Sequence, residues 1–444
     1  MHVYAGRVMQ TPTKDQLEVG DRVVVVDGGE ITAVHDAGSE MAIAAMALAD
    51  AVTQIPEGSV MMPGLVDLHI HAPQWPQLGT ALDLPLEKWL FEHTFPCEAR
   101  FADVEFARVI YADMVRSLLS HGTTTAVYYS SVHRPATVEL AKSCVASGQR
   151  AFVGRVAMDH PEGTPEWYRD DNAAVALASS EASIEEVRAV AGSAGLVEPI
   201  LTPRFAPACT DPLLAGMGEL AATTGVRVQT HCSESDWEHG YAFDRFGLSD
   251  TEALDRFGLM REHTILAHAD FVSPGDMTII AAKGAAIAHC PLSNSYFGNA
   301  VFPARRALEA GVRVGLGTDI AGGARAGVLQ QCHDAVTVSR MLEDGVDAAV
   351  AADLRGVNGS AIDTVTAFWM ATGGGADALG LPVGLLAAGR RFDAVVVDID
   401  RPGGAIRSWA GIDDDTRLFE KIVRLAGPDD ISSVWVDGRK VVGN

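Results

Sequence analysis

The middle of the chain alternates short apolar runs with amphipathic stretches. Most of the apolar runs are followed by a helical pattern, as in EASIEEVRAVAGSAG and VFPARRALEAGV. Eight runs rich in β-branched residues are typical of buried strands: GLVDLHIH, GTTTAVYY, RAFVGRVA, VEPILTP, VRVQTHC, HTILAHA, AAIAHCP and VRVGLGTD. Eight strands with helices between them predict an α/β fold, a (β/α)8 TIM-like barrel, with a doubly wound open sheet as the alternative.

The two ends of the chain show a different pattern. DRVVVVDGGEITAVHD indicates two strands joined by a turn at Asp27, Gly28 and Gly29, and SSVWVDGRKVVGN indicates a hairpin that turns at Asp437 and Gly438. RRFDAVVVDI indicates a further buried strand. We therefore expect residues 1–62 and 383–444 to form one small β-sandwich domain, and residues 63–382 to form the barrel.

Composition and charge narrow the possible functions. Hydrophobic residues make up 48% of the 444 and charged residues 21%, which allows a large core. The net charge of −24 disfavours binding to nucleic acids and to anionic membranes, but is compatible with a small neutral substrate. The cysteines are scattered without CxxC spacing, and no apolar run is long enough to span a bilayer. We expect free thiols and a cytoplasmic location.

Histidines and an aspartate stand where predicted strands end. His69 and His71 are two residues apart in GLVDLHIH, so their side chains share one face of a strand. His231, His268 and Asp319 end three later strands, and in a barrel these ends meet at one mouth. Nitrogen and carboxylate ligands without clustered cysteines suit Zn²⁺ or a similar first-row ion, with iron as the alternative.

Glu234 follows His231 by three residues, on the loop that leaves the fifth strand. Most glutamates on loops are simply solvated. If His231 binds a metal, however, Glu234 lies next to that metal and can act as a general acid and base.

These motifs resemble the amidohydrolase superfamily, and within it the guanine deaminase family. PGLVDLHIH, THCSE, LAH and GLGTD stand in the superfamily's order. HIHAPQW, HGTTTAVYY, TPRFAPAC, AHCPLSN and GLGTDIAGG are similar to guanine deaminase motifs, as is DLPLEKWLFEHTFPCEARF, from Asp83 to Phe101, which the superfamily at large does not share. The resemblance is weak over residues 134–198, 236–260 and 324–382.

The resemblance implies roles for individual residues. The implied zinc ligands are His69, His71, His231 and Asp319, while His268 either contacts the metal or orients its water. Glu234 matches the proton shuttle, and Asp319 and His268 take part in catalysis. The implied substrate-binding residues are His71, Gln74, Trp75, Arg204 and Phe205.

The resemblance also implies one metal per chain. Many relatives carry two metals bridged by a lysine on the fourth strand, but VEPILTPRF contains none and has Arg204 nearby. The expected reaction is the hydrolysis of guanine to xanthine and ammonia, by a homodimer.

Loops that depart from the family pattern keep other substrates open. Leu292, the run SYFGNAVFP and the segment DWEHGYAFDRFG differ from better-known guanine deaminases. A pterin such as isoxanthopterin is the first alternative substrate, and 8-oxoguanine is the next. Two other kinds of protein remain as alternatives for this chain: a binuclear cyclic-amide hydrolase and a non-catalytic assembly protein.

Overall fold

The computed structural model of the chain describes residues 1–192 and 195–443. Residues 193 and 194, near the end of EASIEEVRAVAGSAG, and residue 444, the last of SSVWVDGRKVVGN, therefore lie outside the described residues. The strands are β1 His2–Thr13, β2 Gln16–Asp27, β3 Glu30–Asp36, β4 Ala51–Gln54, β5 Ser59–Pro63, β6 Leu65–His71, β7 Thr123–Tyr129, β8 Arg150–Gly154, β9 Val156–Ala157, β10 Val197–Pro199, β11 Thr202–Pro203, β12 Gln229–Cys232, β13 Ile265–His268, β14 Ala286–His289, β15 Arg313–Leu316, β16 Ala394–Asp398, β17 Ile431–Val436 and β18 Arg439–Val442.

Helices follow most of the central strands, as the alternating pattern predicts. They are α1 Glu40–Leu48, α2 Leu86–Trp89, α3 Phe95–Ala99, α4 Val104–Ser120, α5 Arg134–Ser147, α6 Ala173–Ala191, α7 Asp211–Thr224, α8 Asp236–Phe246, α9 Asp250–Arg256, α10 Pro274–Lys283, α11 Pro291–Ser293, α12 Ala304–Glu309, α13 Val328–Asp344, α14 Thr364–Trp369, α15 Gly375–Leu379 and α16 Asp415–Leu425. Their ends follow local capping chemistry. Ser249 and Ser273, for example, each open a helix with a capping box.

The strands of both chain ends join into one mixed sheet of eight strands. Its order is β18-β17-β16-β5-β1-β2-β3, and β4 pairs with β1. Alternate residues of β2 pack on opposite faces: Val24 and Val26 belong to one apolar cluster, and Val23 and Val25 belong to another. The turns predicted at Gly28–Gly29 and at Asp437–Gly438 connect β2 to β3 and β17 to β18.

The central strands form a closed parallel barrel. Two four-stranded sheets, β10-β8-β7-β6 and β12-β13-β14-β15, are joined through β9 and β11 and through a bridge between Leu201 and Val228. The ring closes where the chain after β15 runs beside β6, since the Asp319 N–H donates to the His69 carbonyl at 2.9 Å and the His71 N–H donates to the Ile320 carbonyl at 2.8 Å. The predicted barrel is confirmed, and closure excludes the open doubly wound sheet.

The mixed sheet packs beside the barrel and shares a buried ion pair with it. Arg150, at the start of β8, contacts Asp393, just before β16. This arrangement supports a division into residues 1–62 with 383–444 and residues 63–382, which stays a prediction. Among the described helices, none has both the length and the apolar composition needed to cross a bilayer.

Candidate metal and catalytic site

The structure brings the side chains proposed as metal ligands together at the C-terminal end of the barrel. His69 and His71 end β6, His231 lies in β12, His268 ends β13, and Asp319 follows β15. All are buried, and their ligand atoms form two overlapping groups in which every atom lies within 4.8 Å of the others: His69, His71, His231 and His69, His268, Asp319. Four separate strands therefore supply one cluster.

Short distances between candidate ligand atoms mark the centre of the cluster. Nε2 of His71 lies 3.0 Å from Nε2 of His231, and Nε2 of His69 lies 3.1 Å from Oδ1 of Asp319. The Nδ1–H of His231 donates to the Arg204 carbonyl at 2.6 Å, so the Nε2 of the neutral ring carries a free lone pair. An imidazole that donates through one nitrogen and presents the other is arranged as a metal ligand.

Several ring nitrogens lack any hydrogen bond within the described residues. Both nitrogens of His69, Nδ1 of His71 and Nε2 of His268 are buried and make no hydrogen bond, although Nε2 of His69 lies close to Asp319. Unpaired buried polar atoms are costly, and several in one cluster indicate that something besides protein atoms satisfies them. The donor set of imidazoles and a carboxylate fits a transition-metal cation such as Zn²⁺.

Electrostatics keep the cluster in a form that can bind a cation. Burial, together with the neighbouring imidazoles, lowers the pKa of His69, His71 and His231 far below the ordinary value. Burial also lowers the pKa of His268, although Asp319 opposes the shift. Neutral imidazoles are the form that donates a lone pair to a metal.

The backbone around Asp319 is held in an uncommon conformation. Asp319 has φ 49° and His268 has φ 71°, in the left-handed region that few residues other than glycine adopt. Gly322 makes room for the aspartate, because a Cβ there would lie 2.5 Å from Oδ2 of Asp319. Such strain, of order 1–3 kcal/mol a residue, is concentrated at functional sites. The close approach to Asp319 accounts for Gly322 in GLGTDIAGG.

Asp67 holds the exit of β15 against β6, and the sequence did not single it out. Its carboxylate accepts hydrogen bonds from the N–H of Thr318 at 3.0 Å, from the hydroxyl of Thr318 at 2.6 Å and from the N–H of His69 at 3.2 Å. Burial raises the pKa of Asp67 to about 7, while the bonds from Thr318 act in the opposite direction. Asp67 thereby fixes His69 and Asp319 relative to each other. Its place in LVDLHIH was the only signal for it.

Glu234 faces the cluster from the loop after β12. Its Oε1 lies 3.8 Å from Nε2 of His268, and its N–H donates to Oε2 of Glu238 at 2.8 Å. Burial raises the pKa of Glu234 well above its usual range, and Asp319 adds to the shift while Arg204 opposes it. A buried carboxyl group with a raised pKa that faces a candidate metal cluster is suited to moving protons.

A chain of polar groups orients His268. Its Nδ1 lies 2.8 Å from Oδ1 of Asn294, and Nδ2 of Asn294 donates to Oδ1 of Asp270 at 2.6 Å. The carboxylate can only accept, so the amide presents its oxygen to the ring and Nδ1 of His268 carries the proton. Nε2 then faces the cluster unprotonated. Sequence reasoning missed Asn294 and Asp270, although Asn294 stands in the quoted motif AHCPLSN.

Most of the residues proposed to hold the base line the same cavity as the candidate metal ligands. Gln74, Arg204 and Phe205 line it together with candidate ligands, and α2 adds an apolar wall. The lining residues are His71, Gln74, Leu86, Trp89, Leu90, Arg204, Phe205, His231, Glu234, His268, Phe297, Asp319 and Gly322. The predicted sites for metal, proton transfer and substrate therefore share one cavity.

Trp75 is the exception among the residues proposed to bind substrate. It is half-buried outside the cavity lining, and its indole N–H donates to Asp113 at 3.0 Å. The turn formed by residues 72–77 directs Gln74 inward and Trp75 toward α4. The structure instead places Trp89 and Phe297 in the wall, with ring centroids 5.0 Å apart.

The comparison with protein families agrees with this fold and site. The model described as the amidohydrolase family matches residues 60–441. The chain therefore belongs to the amidohydrolase family.

Full-length relatives place the chain among the guanine deaminases of that family. It is 34% identical to a probable guanine deaminase of Schizosaccharomyces pombe, over 99% of this chain and 83% of the relative. It is 31% identical to the guanine deaminase of Homo sapiens, over 99% of this chain and 96% of the relative. A guanine deaminase from C. acetobutylicum, solved with guanine in its active site, matches with a TM-score of 0.87 and 28% identity, over 99% of each chain.

Proposed function

We propose that this chain hydrolyses guanine to xanthine and ammonia. The observation that carries the proposal is the shared cavity, in which a cluster of unpaired imidazoles, a buried glutamate and an Arg–Gln pair face one another. Full-length similarity to guanine deaminases supports the choice of base.

We propose one zinc ion per chain, with iron as the alternative. His69, His71, His231 and Asp319 would hold it, with His268 either as a further ligand or beside its water. When bound, the cation would lower the pKa of a water molecule toward neutrality and so supply a nucleophile. Arg204 directly follows β11, near the position at which two-metal relatives have a lysine, and its guanidinium pairs with Glu98 of α3. An arginine held in an ion pair at this place favours a single metal.

The polar end of the cavity suits the edge of an oxopurine. Arg204 is a permanent donor with fork geometry, and O6 of guanine is an acceptor. Gln74 offers both a donor and an acceptor, which suits a ring edge that carries both. Phe205 lies on the cavity wall, with its ring centroid 6.0 Å from that of His231, and can cover one face of the base.

Glu234 is the proposed proton carrier of the reaction. Attack of water on C2 of guanine places charge on N3 unless a proton reaches that atom. Glu234 accepts a proton from the attacking water and delivers it to N3, and Asp319 accepts the second hydroxyl proton. The exocyclic amine is then protonated and the C2–N bond breaks, which releases ammonia and leaves the carbonyl of xanthine.

His268 can stabilise the tetrahedral species by accepting a hydrogen bond from its hydroxyl group through Nε2, which faces the site. Asn294 and Asp270 keep the ring in that tautomer, so no proton needs to move at Nδ1 during turnover. Outer hydrogen bonds of this kind commonly change activity 10–100-fold when they are removed.

A substrate screen tests the proposed function. The purified chain, loaded with zinc, is mixed with guanine, 8-oxoguanine, isoxanthopterin or a cyclic amide. Ammonia and xanthine report deamination, and the ring-opened product reports hydrolysis of the cyclic amide. We expect release from guanine with the highest kcat/KM. If isoxanthopterin or 8-oxoguanine is turned over and guanine is not, that compound is the substrate instead of guanine. If none of the compounds is turned over, a non-catalytic role is favoured.

A homodimer and a cytoplasmic location are proposals of the same kind. The apolar surface of α1, with exposed Met41, Ile43 and Leu48, supports self-association. The molar mass in solution, measured by light scattering, decides between a monomer and a dimer.

A further inference from the structure

The segment Asp83–Phe101 carries the most family-specific motif of the chain. It contributes Leu86, Trp89 and Leu90 to the cavity wall. It also contributes Glu98, a carboxylate without any exposed surface. A buried glutamate is rare unless its charge is paired, so its partners indicate its role.

Each carboxylate oxygen of Glu98 accepts two hydrogen bonds. Oε1 accepts from Nε2 of Gln74 at 2.8 Å and from Nη2 of Arg204 at 3.0 Å. Oε2 accepts from Nη1 of Arg204 at 2.6 Å and from the hydroxyl of Tyr168 at 2.9 Å. One carboxylate thus connects the two polar residues that face the base, and the pair with Arg204 is bidentate.

Glu98 determines which way the amide of Gln74 points. A carboxylate only accepts, so Nε2 of Gln74 must face Glu98. On the other side the N–H of Ala321 donates to Oε1 of Gln74 at 3.1 Å. These two partners fix the amide orientation and leave one N–H and one lone pair for a ligand.

Glu98 also cancels the charge of Arg204. The guanidinium is 3% exposed and lies over the ring of Phe95, 5.0 Å from its centroid. Burial acts to lower the pKa of Arg204, but Glu98 outweighs this effect and the net shift is upward. The end of the cavity that holds the base therefore carries a donor array without net charge.

We propose that Glu98 is a positioning residue that sets substrate specificity. It fixes the donors and acceptors that Gln74 and Arg204 offer, and it makes the cavity select a neutral base over an anionic one. The inference rests on the proposed function, since it concerns recognition of the base at the same site.

The test compares zinc-loaded Glu98→Gln with the wild-type chain. Glu92→Gln is the matched control, because Glu92 lies exposed in the same segment. We measure guanine kinetics, zinc per chain and the inhibition constants of two purines, urate, which is anionic at neutral pH, and hypoxanthine, which is neutral. In Glu98→Gln we expect kcat/KM for guanine to fall at least tenfold, with zinc content unchanged.

The ratio of the two inhibition constants separates specificity from folding. In Glu98→Gln the charge of the Arg204 guanidinium is no longer cancelled. The affinity for urate should therefore rise at least tenfold relative to the affinity for hypoxanthine. A purely structural role would weaken both inhibitors alike, and that result, or an unchanged kcat/KM, would overturn the proposal. Glu92→Gln should match the wild type.

If Glu98→Gln does not fold, Glu98→Asp replaces it in the same experiment. It keeps the charge but is one methylene shorter, so it cannot reach both Gln74 and Arg204. We expect a raised KM for guanine with an unchanged inhibitor ratio, and a KM equal to that of the wild type would contradict the role of Glu98. Failure of the proposed function is distinguishable, because the wild type would then bind hypoxanthine without deaminating guanine.

Discussion

At the scale of single residues, the surroundings of each carboxyl group decide its task. Glu98 accepts hydrogen bonds from four donors, which hold it in one position. Glu234 faces the cluster with few partners, and burial raises its pKa. The same residue type therefore serves as a positioning group in one place and as a proton carrier in the other.

Replacing Glu234 by glutamine tests its role. The amide cannot carry a proton between water and N3, so we expect kcat to fall by about 10²–10⁴-fold. Zinc content, measured by elemental analysis, should stay at the wild-type value because Glu234 is outside the proposed ligand set. Glu219→Gln, at an exposed position of α7, is the control. Near-normal turnover by Glu234→Gln would remove this residue from the mechanism.

At the scale of elements, one buried ion pair joins the barrel to the mixed sheet. Arg150, at the start of β8, donates to both oxygens of Asp393, at 3.3 and 3.1 Å, and the N–H of Asp437 donates to Asp393 at 2.7 Å. Asp393 has no exposed side-chain surface and Arg150 has 10%. Removal of the Asp393 charge leaves the buried Arg150 with Asp437 alone, 3.5 Å away.

Asp393→Asn should therefore lower the free energy of unfolding by up to about 3–5 kcal/mol, the range for a buried charge left without a partner. Urea denaturation followed by circular dichroism measures the change. Glu105→Gln is the control, since the ion pair of Glu105 with Arg108 is exposed on both sides and its loss should change the free energy of unfolding far less. Equal effects of the two substitutions would show that the Arg150–Asp393 pair does not hold the two units together.

At the scale of the whole molecule, the proposed cation connects strands that are far apart in the chain. His69 and Asp319 belong to opposite ends of the barrel sequence, yet their side chains meet at 3.1 Å. A ligand that binds the folded state alone stabilises it by mass action, by about 4 kcal/mol at 1,000 times its Kd. The unpaired imidazoles indicate that the folded chain gains from such a ligand.

Chelation should consequently lower the melting temperature by several degrees. Zn²⁺ should restore it, whereas Ca²⁺, which prefers oxygen ligands, should not. Calorimetry and elemental analysis of the same samples check both statements, with an expected stoichiometry near one zinc per chain. A value near two would support a binuclear hydrolase, and the same melting temperature with and without metal would contradict a metal centre in this cluster.

The sequence by itself determined the barrel and the candidate ligands. Strand periodicity is local, so the side on which His69 and His71 project can be read from their spacing, and chain order assigns His231, His268 and Asp319 to later strand ends. The short turns at Gly28 and Gly438 were equally local. The helix α1 was missed, because the first sixty residues were interpreted as strands.

Only the tertiary structure decided which polar groups meet. Glu98 is 106 residues from Arg204 and 24 from Gln74, and no local pattern reports a contact across that distance. In the same way, Asp270 reaches His268 only through Asn294, and the turn at residues 72–77 directs Trp75 away from the cavity. Side-chain partners depend on how distant elements pack, whereas the face of a strand depends on the backbone alone.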